Sequence, residues 1–222
     1  YSLINETALK TAIRTARELD MNIFGHIENS MISIETASEL GLANFEHAKT
    51  LFLEVIRNYE MASKDLSTLP PDDNENWRFR EYEVFNFIGA NNPLLLSLIE
   101  LLKKNKASVT PTLQLYAHPI GLTNEDNRIA MHENDQLKWS GAKLNRAKKG
   151  YKELAALVYQ LYENGIMLNT GSDTYEPGKT ILSEMLLLND LGIPMSEVLK
   201  IASLNCAKTL NKSRSYGSIE VG

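Results

Sequence analysis

Ala43-Asn44-Phe45-Glu46-His47 is a short, β-type run that ends on a histidine. Gly41 stops a helix over Ile32–Leu40 just before it, and Phe52, Val55, Ile56 and Tyr59, spaced i, i+3, i+4 and i+7, mark a helix just after it. The same order recurs on both sides. Upstream, Leu9, Ile13, Ala16 and Leu19 fall at helical spacing before a turn at 20–22, and Asn22-Ile23-Phe24-Gly25-His26 then reads as a strand with a polar C-terminal end. Downstream, Pro93 suits the first turn of a helix that continues over Leu94–Lys106. A strand over Ser108–Leu115 follows, its Pro111 confined to an edge or a bulge. A helix carrying Tyr151, Leu154, Val158 and Leu161 closes at Gly165, and Ile166-Met167-Leu168-Asn169-Thr170-Gly171-Ser172-Asp173 reads as a strand with its acid last. Helices over Thr180–Leu191 and Met195–Leu210 finish the chain. Residues 62–92, with the polar run at 70–76, read as an insertion, and 116–143 as loop-rich.

Strands that alternate with helices predict parallel β/α units, because two parallel strands need a crossover between them. Four such strands predict an α/β fold, a TIM (β/α)8 barrel of which this chain covers about half, since a whole barrel takes about 250 residues. All of 1–222 is read as part of that one barrel domain. The 222 residues, 43% of them hydrophobic, are enough to bury a core. A net charge of −5 disfavours nucleic acid and acidic membrane surfaces as partners. The most apolar stretch, 93–102, is broken by Ser97 and Glu100 and falls short of a membrane span. One cysteine, Cys206, cannot close an intrachain disulfide or build a thiolate metal cluster. Compartment is not legible, and a homo-oligomer is left open.

His26, His47 and Asp173 each end a different expected strand. In a parallel barrel the strand C-termini share one rim, so topology would gather three residues far apart in sequence. Neutral imidazoles and a carboxylate are a ligand set for a divalent metal, Zn²⁺ foremost. A bound metal lowers the pKa of water and polarises a carbonyl, and a carboxylate beside that water can take its proton and return it to a leaving nitrogen. Asp173 is therefore expected both to touch the metal and to act in catalysis. Taken singly, each histidine is ordinarily a hydrogen-bonded structural residue; the conjunction carries the expectation. Further candidates are substrate contacts: His118 beyond the third strand, Tyr175 on the loop after Asp173, and Arg78 and Arg80 in an aromatic-basic cluster with Trp77 and Phe79. Against them stand a solvated loop histidine and a helix start that packs its rings inward. Glu28 and Glu46 flank the two histidines as possible outer partners.

The segments Phe24-Gly25-His26, Ala43–His47 and Thr170-Gly171-Ser172-Asp173 resemble the fifth-, sixth- and eighth-strand signatures of the amidohydrolase superfamily, above all its imidazolonepropionase-like and Xaa-Pro dipeptidase-like branch. The interval of 21 residues between the histidines is similar to that family's, and 177–185, 191–194, 202–207 and 217–222 resemble its C-terminal run. The resemblance implies a hydrolase with one or two metals, ligated by His26, His47 and Asp173, acting on a peptide-like or cyclic amide. It also implies a His-x-His pair and a bridging lysine that this sequence lacks. The chain opens on Tyr1, and the expectation is that the first four strands lie upstream and that a small β domain is absent. Hydrolytic deamination on the same scaffold, or a non-catalytic binding member, are the alternatives.

Overall fold

The computed structural model describes residues 4–28, 31–62, 77–122, 139–173 and 177–221. Its first half runs α1 (Glu6–Glu18), α2 (Ile34–Leu40), β1 (Asn44–Glu46), α3 (Lys49–Ala62), α4 (Trp77–Ile88), α5 (Pro93–Lys104) and β2 (Ser108–Thr110). The second half runs α6 (Gln114–Ala117), a 3-10 turn (His118–Ile120), α7 (Gly141–Glu163), β3 (Met167–Leu168), α8 (Pro177–Asp190), α9 (Met195–Lys200) and α10 (Cys206–Thr209), with a π-helical segment, Ile201–Asn205, joining the last two. The fold is thus α/β, dominated by helices.

The sheet is small and parallel, in the order β1-β2-β3. Asn44, Phe45 and Glu46 pair with Ser108, Val109 and Thr110; Ser108 and Val109 pair with Met167 and Leu168. Gly25 forms a parallel bridge to Phe45, with Gly25 N–H donating to Asn44 O at 2.9 Å and Glu46 N–H to Gly25 O at 3.0 Å. Four extended segments therefore lie side by side in chain order, each joined to the next by a helical crossover, as the alternation predicts.

Period-2 alternation divides the sheet's two faces. Phe45, Val109 and Leu168 are buried among the helices. Asn44, Ser108 and Asn169 point the other way and form a one-directional cascade. Thr209 Oγ1 donates to Asn169 Oδ1 (3.0 Å), Asn169 Nδ2 to Ser108 Oγ (3.2 Å), Ser108 Oγ to Asn44 Oδ1 (2.8 Å), and Asn44 Nδ2 to Ile23 O (2.9 Å). Each donor meets one acceptor, so a polar layer crosses all four segments with its hydrogen bonds closed.

The strands are shorter than their β-type composition predicts. Only Gly25 of 22–26 pairs with a neighbour. The expected strand 108–115 stops at Thr110, because Pro111 has no N–H to continue the ladder and Thr112 takes a left-handed backbone, φ 53°. Leu113 then turns helical and α6 begins. Of 166–173 only Met167–Leu168 is paired, and the rest runs irregularly to Asp173. Within 62–92, α4 is a buried helix: Tyr82 and Phe85 stack with Phe52 and Tyr116, and Tyr82 OH donates to Tyr116 O at 2.5 Å. Gly150 lets α7 lie against α4, since a Cβ there would meet Tyr82 O at 2.3 Å. Within 116–143, α6, the 3-10 turn and the first turn of α7 are ordered helix, and 123–138 lies outside the described residues.

No single described helix is long and apolar enough to cross a membrane. α4 and α5 reach that measure only jointly, across a 98° bend, and both contribute buried side chains to the core.

Candidate metal centre

Beyond the C-terminal ends of the strands the chain changes character. His47 (φ 63°), Thr112 (φ 53°) and Asp173 (φ 46°) all adopt left-handed backbone, which is unusual for residues with a Cβ and turns each side chain off its strand direction. His47 is held on both sides of its own main chain. Its N–H donates to Thr110 O at 2.9 Å, and the next residue, Ala48, donates to Pro111 O at 3.3 Å.

These turns bring the sequence-predicted residues together. The His26 and His47 rings lie 4.7 Å apart between centroids, tilted by 52°. His47 Nε2 stands 3.5 Å from Asp173 Oδ2 and 4.0 Å from Glu28 Oε1. His26, Glu28 and His47 each offer one ligand atom within 4.8 Å of the others. Glu28, expected only as an outer partner, is thus a full member of the cluster. Asp173 joins it through His47 and keeps a largely exposed carboxylate, 58% accessible.

The protonation state of His47 follows from its neighbours. Thr112 Oγ1 donates its one hydrogen to Pro111 O (2.7 Å) and lies 2.6 Å from His47 Nδ1. With that hydrogen on Pro111 O, the short contact is Nδ1–H donating to Thr112, and the Nε2 lone pair then faces the two carboxylates. Burial above all drives the His47 pKa down to about 4, and the positive charge of Lys49 pushes the same way against the pull of Glu28 and Asp173. Burial lowers His26 too. The cluster thus sets two imidazoles that burial keeps neutral beside the carboxylates of Glu28 and Asp173, an arrangement that favours a cation. The donor set, nitrogen and carboxylate oxygen, suits Zn²⁺ or a similar divalent ion. Metal–ligand bonds of about 2.0–2.2 Å put donors around one ion closer together than these are, so the side chains would have to draw inward to close the cluster.

A second row of charge fixes the first. Lys49 Nζ bridges Glu28 Oε2 (3.1 Å) and Glu81 Oε1 (3.0 Å). Burial acts to discharge Lys49, but Glu81 and Glu28 outweigh it and hold its pKa up. Burial raises Glu81, which accepts a further hydrogen bond from Tyr116 OH. That phenol is itself fully buried and stays protonated. Glu28 therefore has one oxygen tied to Lys49 and the other turned to His47. The same bridge borders a recess of about 570 Å³ lined by Glu28, Lys49, Glu60, Trp77, Arg80 and Glu81 among others.

The expected substrate contacts disperse. Arg80 lines that recess and pairs with Glu60 at 2.6 Å. Arg78 is buried, its guanidinium over the Trp77 ring at 4.9 Å. His118 is buried in the 3-10 turn and is no member of the ligand cluster. Tyr175 lies outside the described residues. Glu46 is no member of the ligand group, and its pKa is raised by burial above all, with the Asp173 charge pushing the same way against a hydrogen bond with Thr110. Sequence reasoning missed Lys49, Glu81, Thr112 and Tyr116. Lys49 left a trace: a cation in the first turn of α3 opposes the helix dipole and so calls for a local reason.

Known proteins of this shape can now be set beside the chain. No family model matches it, and no curated protein matches it in sequence. Among solved structures, an Xaa-Pro dipeptidase with bound methionine in its active site superposes with a TM-score of 0.56 at 15% identity, over 99% of this chain and 41% of that one. The bottromycin amidohydrolase superposes with a TM-score of 0.63, also at 15% identity, over 96% of this chain and 46% of the enzyme. The chain shares their fold and spans less than half the length of each.

Proposed function

We propose that the chain is the strand-five to strand-eight half of a TIM-barrel amidohydrolase, and that its strand-end cluster is the metal centre of an enzyme hydrolysing a C–N amide bond in a peptide-like or cyclic amide substrate. The observation that carries the proposal is the convergence of His26, His47 and Asp173, from three different strand ends, on one cluster of nitrogen and oxygen donors. The fold shared with a dipeptidase and an amidohydrolase supports it.

His26, His47 and Asp173 would hold the ion, together with Glu28. A divalent metal there supplies Lewis acidity, making water more acidic and the substrate carbonyl more electrophilic. The remaining chemistry belongs to the chain. Asp173 Oδ2 takes a proton from the attacking water and delivers it to the departing nitrogen, a task that suits its solvent-exposed position. Thr112 keeps His47 in the tautomer that presents Nε2. Lys49 holds Glu28 in place and balances its charge. Arg80, on the recess beside Glu28, is placed to meet a substrate carboxylate by exchanging it for Glu60. Arg78, His118 and Tyr175 are lesser members of the same proposal.

Cobalt titration of the full-length protein tests the centre, because Co²⁺ in a nitrogen and oxygen site absorbs visible light. One equivalent is expected to bind, and His26→Ala or His47→Ala to abolish the band. In the full-length protein Asp173→Asn is expected to slow release of amine from amide substrates by about 10²–10⁴-fold. Absence of stoichiometric divalent metal, together with hydrolysis indifferent to Asp173→Asn, overturns the proposal. Release of free ammonia alone would move the assignment to deamination.

A further inference from the structure

Glu184 is a carboxylate with no exposure at all, set in the middle of α8. Its oxygens accept from the main chain: Oε1 from Leu113 N–H at 3.0 Å and Oε2 from Gln114 N–H at 2.9 Å. The Thr112 N–H adds a third donor, although burial still drives the Glu184 pKa up to about 7. Three successive N–H groups converge because Thr112 is left-handed while Leu113 is right-handed helical, φ −57° and ψ −34°. That alternation curls the backbone into an anion-binding concavity. Such a nest ordinarily receives a phosphate or another external anion; here a side chain of the same protein fills it.

The nest is joined to both halves of the candidate centre. From its first residue, Thr112 Oγ1 shares a hydrogen bond of 2.6 Å with His47 Nδ1. From its last, Gln114 Nε2 donates to Ser172 O at 2.6 Å, one residue before Asp173. The two loops also touch directly. A Cβ on Gly171 would lie 2.4 Å from Thr110 Cγ2 and 3.2 Å from Thr112 Cγ2, so the segment leading to Asp173 is seated against the same two threonines. A β-branched residue holds a left-handed backbone poorly by itself. Without an anion in the nest the 111–114 turn has reason to relax, and with it the hydroxyl that sets the His47 tautomer and the amide that anchors Ser172.

We infer that Glu184 is a positioning residue for the strand-end centre, acting through the 112–114 nest to fix the His47 ring on one side and the Asp173 loop on the other. The function of that centre rests on the proposal above; the positioning is a property of the chain without metal.

The test separates the two. Long-range ¹H–¹⁵N spectra of the metal-free chain at pH 8, where the Glu184 carboxylate is ionised, read the His47 tautomer directly. The wild type is expected to show the Nδ1–H form. Glu184→Gln keeps the shape but sets an NH2 group against a main-chain N–H, and is expected to shift His47 toward the Nε2–H form and to weaken cobalt binding by about 10–100-fold. Thr112→Ala, which removes only the hydroxyl through which the nest acts, is expected to release the tautomer in the same way and stands in should Glu184→Gln fail to fold. Leu102→Ala, in the core beside the N-terminal end of β2, controls for general destabilisation and is expected to leave tautomer and cobalt affinity unchanged. A wild-type tautomer retained in Glu184→Gln or in Thr112→Ala overturns the inference, as does an equal change in Leu102→Ala. If the tautomer follows Glu184 while the wild type binds no cobalt, positioning stands and the metal centre falls.

Discussion

β1, β2 and β3 carry two bands of polar side chains that differ in kind. The first band, Asn44, Ser108 and Asn169 with Thr209, is neutral, lies within or just past the paired residues, and passes each hydrogen bond to the next member in one direction. Three or four residues further along the same segments stand His47, Thr112 and Asp173. All three are left-handed, and they lie next to buried charge. One band satisfies its groups internally and fixes strand register; the other leaves a lone pair and two carboxylates facing one another and depends on strained backbone to do so. Strain and unpaired electron density persist where the surrounding structure over-determines them, and that is where chemistry is sought.

The largest effect that separates the bands is linkage to a cation. A metal that binds only the folded chain stabilises it by about 2.7 kcal/mol at a hundred times its Kd. Thermal unfolding of the chain with and without Zn²⁺ should show that increment in the wild type and lose it in His47→Ala. Asn169→Ala, in the neutral band, should keep it. An increment untouched by His47→Ala would place the cation elsewhere.

The neutral band answers in stability instead. Asn169→Ala strands the buried Thr209 hydroxyl without its acceptor and removes the donor to Ser108, at an expected cost of about 1–3 kcal/mol in urea unfolding. A loss much below 1 kcal/mol would mean that water replaces the cascade and that register is set by the buried Phe45, Val109 and Leu168 alone.

The two bands were unequally visible in the sequence. His26, His47 and Asp173 could be joined in advance because each closes a β-type run flanked by helical periodicity, and parallel strands put such ends on one edge. The helices were legible for the same reason: Leu9 and Ile13, or Leu154, Val158 and Leu161, repeat with the helical period. The charge that surrounds the centre was not. Glu81 reaches Lys49 from a helix 32 residues away, and nothing local in 77–88 distinguishes it from Glu83 on the same helix. Strand lengths were overestimated because β-type composition continues past the point where Pro111 and the left-handed Thr112 end the ladder. Glu184 stood in a segment singled out only by resemblance, and its partners are main-chain groups, which no side-chain pattern announces.

The smallest expected effect is also the sharpest discriminator between the bands. Asp173→Asn removes the charge that the proposed hydrolysis needs, yet stability should change by no more than about 0.5 kcal/mol. Three features of the position predict this. The carboxylate is more than half exposed, so its loss leaves no buried group without a partner. Its contact with His47 involves a neutral imidazole, whose Nε2 lone pair faces the carboxylate, so no strong ion pair is broken. Its backbone, at φ 46°, is one that asparagine tolerates as well as aspartate does. Urea unfolding at pH 7 measures the change. A loss of 2 kcal/mol or more would show Asp173 to be a structural member of its loop, held as tightly as Asn169 is, and the contrast between a stabilising band and a reactive one would not extend to the acid on which the proposed proton transfer depends.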